Sequence, residues 1–198
     1  ADFIETAAEA QSGVAFGGGV GTLGATADVG ASLWEGARAA SNRSFAWGGA
    51  VGTALAGRAT VYDSTMRACA AASIASLGEG GGAGAGSGSP VALFNVTIDG
   101  ASASSPWAGR DVWAFSPADL SAAQLTLIGS CPPGDVTTRP IGSLLSGTML
   151  LRDLAIDAPG CDAPRPYIAT NTVGVLTLAD CGTPDACGPR TACSTSTF

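Results

Sequence analysis

Short stretches of alternating apolar and polar residues recur along this chain about every 30 positions, and they can be laid over one another. The segments "VYDSTMRA" (61–68), "LFNVTIDG" (93–100), "AAQLTLIG" (122–129) and "LRDLAIDA" (151–158) follow at offsets of 32, 29 and 29. One column then reads Ser64, Val96, Leu125, Leu154 and Leu176; the next reads Met66, Ile98, Leu127, Ile156 and Leu178, with Ile4 and Trp34 extending it upstream. Thr65, Thr97, Thr126, Ala155 and Thr177 stand between the two. A period of two predicts a strand with the apolar side inward and the threonines outward. A third apolar column, Val61, Leu93, Ala122, Leu151 and Val173, lies three residues before the first. An odd offset cannot keep the same face of a straight strand inward. The spacing therefore predicts a bend at Asp63, Asn95, Gln124 and Asp153, residue types suited to turns and stacked polar ladders.

A second phrase obeys the same interval. "QSGVAFGGGVGT" (11–22) and "NRSFAWGGAVGT" (42–53) agree at six of twelve positions, and Gly80, Gly81 and Gly84 form a decayed third copy beneath Gly48, Gly49 and Gly52. Glycine recurs because a corner recurs, one that needs positive φ or close backbone approach. A unit holding short strands, a polar bend and a glycine corner is one coil of a solenoid, and unequal coil lengths reflect loops of different size. The alanine-rich stretches "SLWEGARAASNRSFA" and "STMRACAAASIASL" suggest a helical repeat instead. Both overlap the strand columns, and the later units hold no ten-residue stretch of helical period. The expected architecture is all-β, a right-handed parallel β-helix with coils of about 22–32 residues over 1–178, followed by a cysteine-rich segment at 179–198.

Glycine pairs such as "GGAV" preceded by Asn42, alternating with strands of the type "DSTM" or "NVTI", resemble the repeats of polymorphic outer-membrane-protein-like proteins. These belong to the wider pectate-lyase-like family of right-handed parallel β-helices. The resemblance covers residues 3–100 through the full motif and 101–180 through the strand columns alone. It implies the fold, whereas function varies widely on that fold, which hosts lyases, adhesins, spikes and filaments. Sequons, cysteines and an arginine-without-lysine, Ala/Gly-rich composition depart from the bacterial repeats. They fit the related surface proteins of green algae, including ciliary filaments of the mastigoneme type.

Charge and cysteine usage narrow the function classes. A net charge of −7, with nine arginines scattered and no lysine, argues against nucleic acid as partner. Absence of histidine and lysine removes the commonest general base, Schiff-base chemistry and the phosphate-binding P-loop. Six cysteines without histidine read as disulfides rather than metal ligands; Cys131, Cys161, Cys181, Cys187 and Cys193 are the candidates, and their pairing stays open. Two sequons, at Asn42 and Asn95, agree with an extracellular setting and are candidate glycan acceptors. Asn42 precedes a glycine corner and is the more open of the two, while Asn95 sits in the bend column. No apolar run approaches the roughly 18 to 20 residues of a membrane helix, so no membrane insertion is expected in this segment.

Candidate chemistry is sparse. Asp99 and Asp157 share a column two coils apart with Ile128 between them, about 10 Å by strand spacing, too far for a retaining carboxylate pair. Arg67 is expected to stand between Glu35 and Asp99 as a charge ladder. Trp34 and Trp47 read as packing, whereas Trp107 and Trp113 flank "AGRDV" in an expected loop and are candidate interface residues. "GEGGGAGAGSGSP" (78–90) lacks the Lys-Ser/Thr of a nucleotide loop and reads as a flexible corner insertion. No cofactor, metal site or catalytic residue is expected. The expectation is a non-enzymatic structural or adhesive segment, with other subunits of an assembly, the rest of a longer chain or glycans as partners. The alternative is a carbohydrate-binding or carbohydrate-cleaving β-helix.

Overall fold

The structure, a computed structural model, describes residues 1–104, 110–115, 117–129, 141–144, 148–157, 168–171, 175–179 and 195–197. Among these residues there are strands and no helix, and the strands stack in four parallel-paired columns. The chain is a parallel β-solenoid. Its longest sheet contains Arg58–Arg67, Val91–Asp99, Asp119–Ile128 and Thr148–Asp157, each beside the next. Earlier coils contribute Asp2–Ile4, Thr26–Gly30 and Leu33–Glu35, and the last contributes Val175–Ala179. Thr195–Thr197 adds the one antiparallel pairing among the described strands, against Val175–Thr177.

The inward columns follow the alternation in the sequence. Trp34, Met66, Ile98, Leu127 and Ile156 are in register, as are Ser64, Val96, Leu125 and Leu154. Val61, Leu93, Ala122 and Leu151 form the third column. All of these except Ile156, whose side chain is not described, are buried, so each coil contributes a layer to one continuous core. The bend between the columns is real. Asp63, Asn95, Gln124 and Asp153 have φ of 50°, 52°, 57° and 49°, and Ala31 opens the series at 47°. One left-handed residue turns the strand direction without ending the ladder, which is how an odd offset keeps both columns inward. Asp and Asn tolerate this conformation because their short polar side chains bond locally. Here the Asn95 Nδ2 donates to the Asp63 carboxylate at 2.7 Å.

The repeated glycine phrase is the corner it was expected to be. Gly17, Gly48 and Gly80 lie at φ of 62°, 63° and 60° and carry the chain from the short strands Ala15–Phe16, Ala46–Trp47 and Gly78–Glu79 into Val20–Leu23, Val51–Ala54 and Ala83–Ala85. Successive corners touch through backbone alone: Gly48 N–H donates to Glu79 C=O at 3.2 Å, and Gly49 N–H to Gly80 C=O at 3.1 Å. A Cβ on Gly49 would be driven into the carbonyls of Gly81 and Ala70.

Four expectations need correction. Residue Phe3, not Ile4, pairs with Trp34 and stacks on it at 5.2 Å, leaving Ile4 60% exposed. Leu178 pairs with Leu151 and Leu176 with Met149, so the last coil is shifted from the expected partners Ile156 and Leu154. The stretch from Gly78 to Gly86 is no insertion: it is buried, and its two strands pair in register with Ala46–Trp47 and Val51–Thr53. Finally, Trp113 lies in the strand Val112–Phe115, not in a loop.

Candidate functional site

The most distinctive surface lies on the outward side of the long sheet, before the bend. Tyr62, Phe94, Ala123 and Arg152 stand in one register column, on four successive coils. Alternation places all four away from the core, because Val61, Leu93, Ala122 and Leu151 beside them point in. Tyr62 is 45% exposed and Phe94 47%. A Cβ on Gly30 would fall within the Tyr62 ring, so the glycine gives the ring a seat on the preceding coil. Below Phe94 the column drops to alanine, which opens a groove of about 280 Å³ lined by Phe94, Ser121, Ala123, Leu150 and Arg152. An aromatic wall thus faces a guanidinium about two coil spacings away, roughly 10 Å.

A second, more polar groove of about 340 Å³ lies on the outer face of the sheet built from Ala7–Ala10, Arg38–Ser41, Ala70–Ser73 and Ser102–Ala103. Ala40 lies in its floor, and Glu9, Gln11, Arg38 and Asn42 contribute polar groups. Two contacts cross it between coils: Arg38 to Glu9 at 3.6 Å, and Asn42 Nδ2 donating to Gln11 Oε1 at 2.9 Å. Both ion-pair partners are more than half exposed, so this pair fixes little stability.

The residues singled out from sequence fall in separate places. Asp99 and Asp157 do share a column through Ile128, and Arg67 stands between Glu35 and Asp99, 3.4 Å from the latter. Asn42 is exposed in the bend after Arg38–Ser41, and Asn95 is exposed in the middle of Val91–Asp99. Trp113 is 1% exposed, stacked on Phe115 at 5.5 Å and tilted against Trp47 at 5.9 Å, so it packs inside an aromatic cluster and offers no partner a surface. Trp107, Cys131, Cys161, Cys181, Cys187 and Cys193 lie outside the described residues.

Sequence reasoning passed over two features. Cys69 is buried between Ala37 and Ala101 in the position just after a corner, and burial pushes its thiol up to about 11. It is a core residue with its Sγ near the Arg67 carbonyl at 3.4 Å. Glu79, Arg110 and Asp111 are buried charged residues on neighbouring coils. Arg110 donates to the carbonyls of Ala101 on its own coil and Gly129 on the next, pinning two coils at one point. Both carboxylates are 0% exposed and out of reach of any solvent-borne substrate. Their signal was available: Glu79 takes the place of Trp47 in the third copy of the glycine phrase.

Among the described residues no three of Cys, Asp or Glu come close enough to hold a metal ion, and no helix is long and apolar enough to cross a membrane. Geometry and surface together define the class: a parallel β-solenoid with exposed aromatic and polar grooves on its flat faces. Comparison of the chain with family models, curated proteins and solved structures finds no match.

Proposed function

We propose that this chain is a non-catalytic structural or adhesive segment of an extracellular assembly, a surface or filament protein of the green-algal ciliary type that its repeats resemble. The observation that carries the reading is the adjacent pair Tyr62 and Phe94, two large rings held half-exposed on a rigid stacked face. Contiguous exposed aromatics mark contact surfaces rather than ordinary solvent-facing strands. The regular interval supports it, since coils stacked directly on one another make a stiff rod whose outward columns run from coil to coil. Other subunits of the assembly are the partners this surface fits.

Antibodies against the folded chain test the location. Labelling of intact source cells, unchanged by permeabilisation, is the expected outcome; a signal seen only after permeabilisation overturns it.

A second reading, carbohydrate binding, draws on the groove that sets the Phe94 ring opposite Arg152. Retention on an acidic polysaccharide column, lost in Arg152→Ala, favours this reading. Release of unsaturated uronic acid by the wild-type chain would make it an enzyme and displace the first proposal.

A further inference from the structure

The two sequons sit in opposite mechanical situations. Asn95 is the central residue of Val91–Asp99, a strand paired on both sides over its length, to Arg58–Arg67 and Asp119–Ile128. Both acceptor amides are hydrogen-bonded to the preceding coil, Asn95 to Asp63 at 2.7 Å and Asn42 to Gln11 at 2.9 Å, so the difference lies in the backbone and in Val96, the middle residue of the Asn95 sequon, which is buried at 1%. Once this coil closes, no enzyme can draw Asn95-Val96-Thr97 into an active site without breaking two ladders. Asn42-Arg43-Ser44 lies in a bend outside any strand, with Asn42 and Arg43 both exposed. Three neighbouring side chains, Glu9, Gln11 and Arg38, line a polar groove of about 340 Å³ directly beside Asn42, a space of the size one or two sugar rings need.

From this we infer that Asn42 is the glycosylated sequon of the folded protein, and that its first sugars lie along the Glu9–Gln11–Arg38 groove. The inference rests on the extracellular reading above and deepens it. In the transfer, Asn42 Nδ2 forms a bond to C1 of an oligosaccharide carried on a lipid pyrophosphate. The C1–O bond breaks, its electron pair leaves with the pyrophosphate, and Nδ2 releases one of its two protons to a basic group of the transferase. One N–H remains. The sugar hydroxyls then meet the carboxylate of Glu9, the amide of Gln11 and the guanidinium of Arg38, all of which stand at the rim of the groove. Asn95 is an acceptor only in the interval between its synthesis and closure of its coil.

The test is to send the full chain through a eukaryotic secretory pathway and map the sequon peptides by mass. Enzymatic release, which converts a glycan-bearing Asn to Asp, marks the occupied sites. Expected are a glycan on Asn42 in most secreted molecules and on Asn95 in a small minority. Gly49→Ala, which obstructs stacking and is expected not to fold, is mapped in the cell-associated chain; there Asn95 occupancy is expected to rise towards that of Asn42, because only Asn95 depends on coil closure. A second arm reads the seat of the sugar: native-state enzymatic release is expected to quicken in the Gln11→Ala/Arg38→Ala double variant. Secreted chain with a bare Asn42, or with Asn95 occupied as fully as Asn42, overturns the assignment. An unchanged release rate overturns the seating in the groove. Absence of the native protein from the cell surface would instead refute the extracellular reading, which the antibody experiment tests separately.

Discussion

Two sets of corners in this solenoid share a backbone conformation and differ in the residues they accept. Gly17, Gly48 and Gly80 are glycine at every level, whereas the corner after the long strands is Glu5, Gly36, Ala68, Gly100 and Gly129, at φ of 51°, 65°, 51°, 63° and 67°. Positive φ alone does not separate them. What differs is the room for a Cβ. At Gly48 that atom would meet the Val51 carbonyl and the Gly52 Cα, while at Gly100 nothing lies within 4 Å. The first corner is obligatory glycine because the chain folds back there onto its own backbone three residues on; the second only prefers it. A glycine column in a repeat protein thus reports close approach, and a mixed column reports conformation alone.

The sharpest way to break this distinction is to put a methyl group at the tight corner. Gly49→Ala drives its Cβ into the backbone of Gly81 and Ala70, neither of which can rotate away. Loss of more than about 4 kcal/mol is expected, enough to leave the chain unfolded or insoluble. Circular dichroism and a thermal melt of the purified variant check it. A variant that folds with a melting point near wild type would mean the coils can part at this corner, and the comparison would collapse.

Next in size is the residue that follows the open corner. Ala37, Cys69 and Ala101 occupy this place on successive coils, each at 0% exposure. Burial raises the Cys69 thiol to about 11, chiefly by desolvation, with backbone hydrogen bonds to Ala37 and Arg67 pulling it part of the way back. An acid whose folded value lies above its unfolded one binds its proton longer when folded. Its stabilisation is therefore complete below about pH 9 and is lost as pH rises from there towards 11. The difference corresponds to about 2–3 kcal/mol. Denaturant midpoints measured from neutral to alkaline pH should fall across that window, and Cys69→Ala should flatten the decline. An equal decline in the alanine variant would remove Cys69 from the explanation. Gly100→Ala, at the open corner itself, should cost only about 1–2 kcal/mol, since the strain is conformational and no atom stands in the way. A loss as large as that of Gly49→Ala would show that the two corners are not different in kind.

Much of this fold could be read from the sequence, and each failure has an identifiable cause. Met66, Ile98, Leu127 and Ile156 were placed in register because strands of unbroken alternation carried the count between them. The count failed at the first and last coils. Phe3 is two residues before Glu5 as Trp34 is two before Gly36, but glutamate gave no sign that it sat at φ 51°, so Ile4 was placed in the core. At the other end the apolar pair Leu176 and Leu178 fits Met149 and Leu151 as well as Leu154 and Ile156. A period of two cannot distinguish registers whose partners are all apolar. Trp113 was misplaced for a different reason. It belongs to the Val112–Phe115 strand on the face where Gly84 and Gly86 stand against Trp47, and that extra aromatic layer has no counterpart in the inward columns. The surfaces were least legible. Tyr62 and Phe94 were seen as strand residues, but the groove beside Phe94 exists because Ala123 follows it one coil later, a relation between residues 29 apart that matters only once the coils are stacked.

The finest test of the comparison is Ala68→Gly. Ala68 has φ of 51° at a corner where the adjoining coils use Gly36 and Gly100. Replacing it removes the left-handed strain of a Cβ-bearing residue, about 1–2 kcal/mol. It also loosens the unfolded chain, which opposes the gain by about 0.5–1 kcal/mol. Since Ala68 is exposed, no buried methyl is lost and the two terms decide the sign. A net stabilisation of about 0.5 kcal/mol is expected, readable as a small rise in denaturant midpoint with unchanged slope. The same change made together with Gly49→Ala should not restore folding, because conformational relief at the open corner cannot make space at the tight one. Destabilisation by Ala68→Gly would mean that the alanine side chain contributes packing there, and that the mixed column is selected for contact after all.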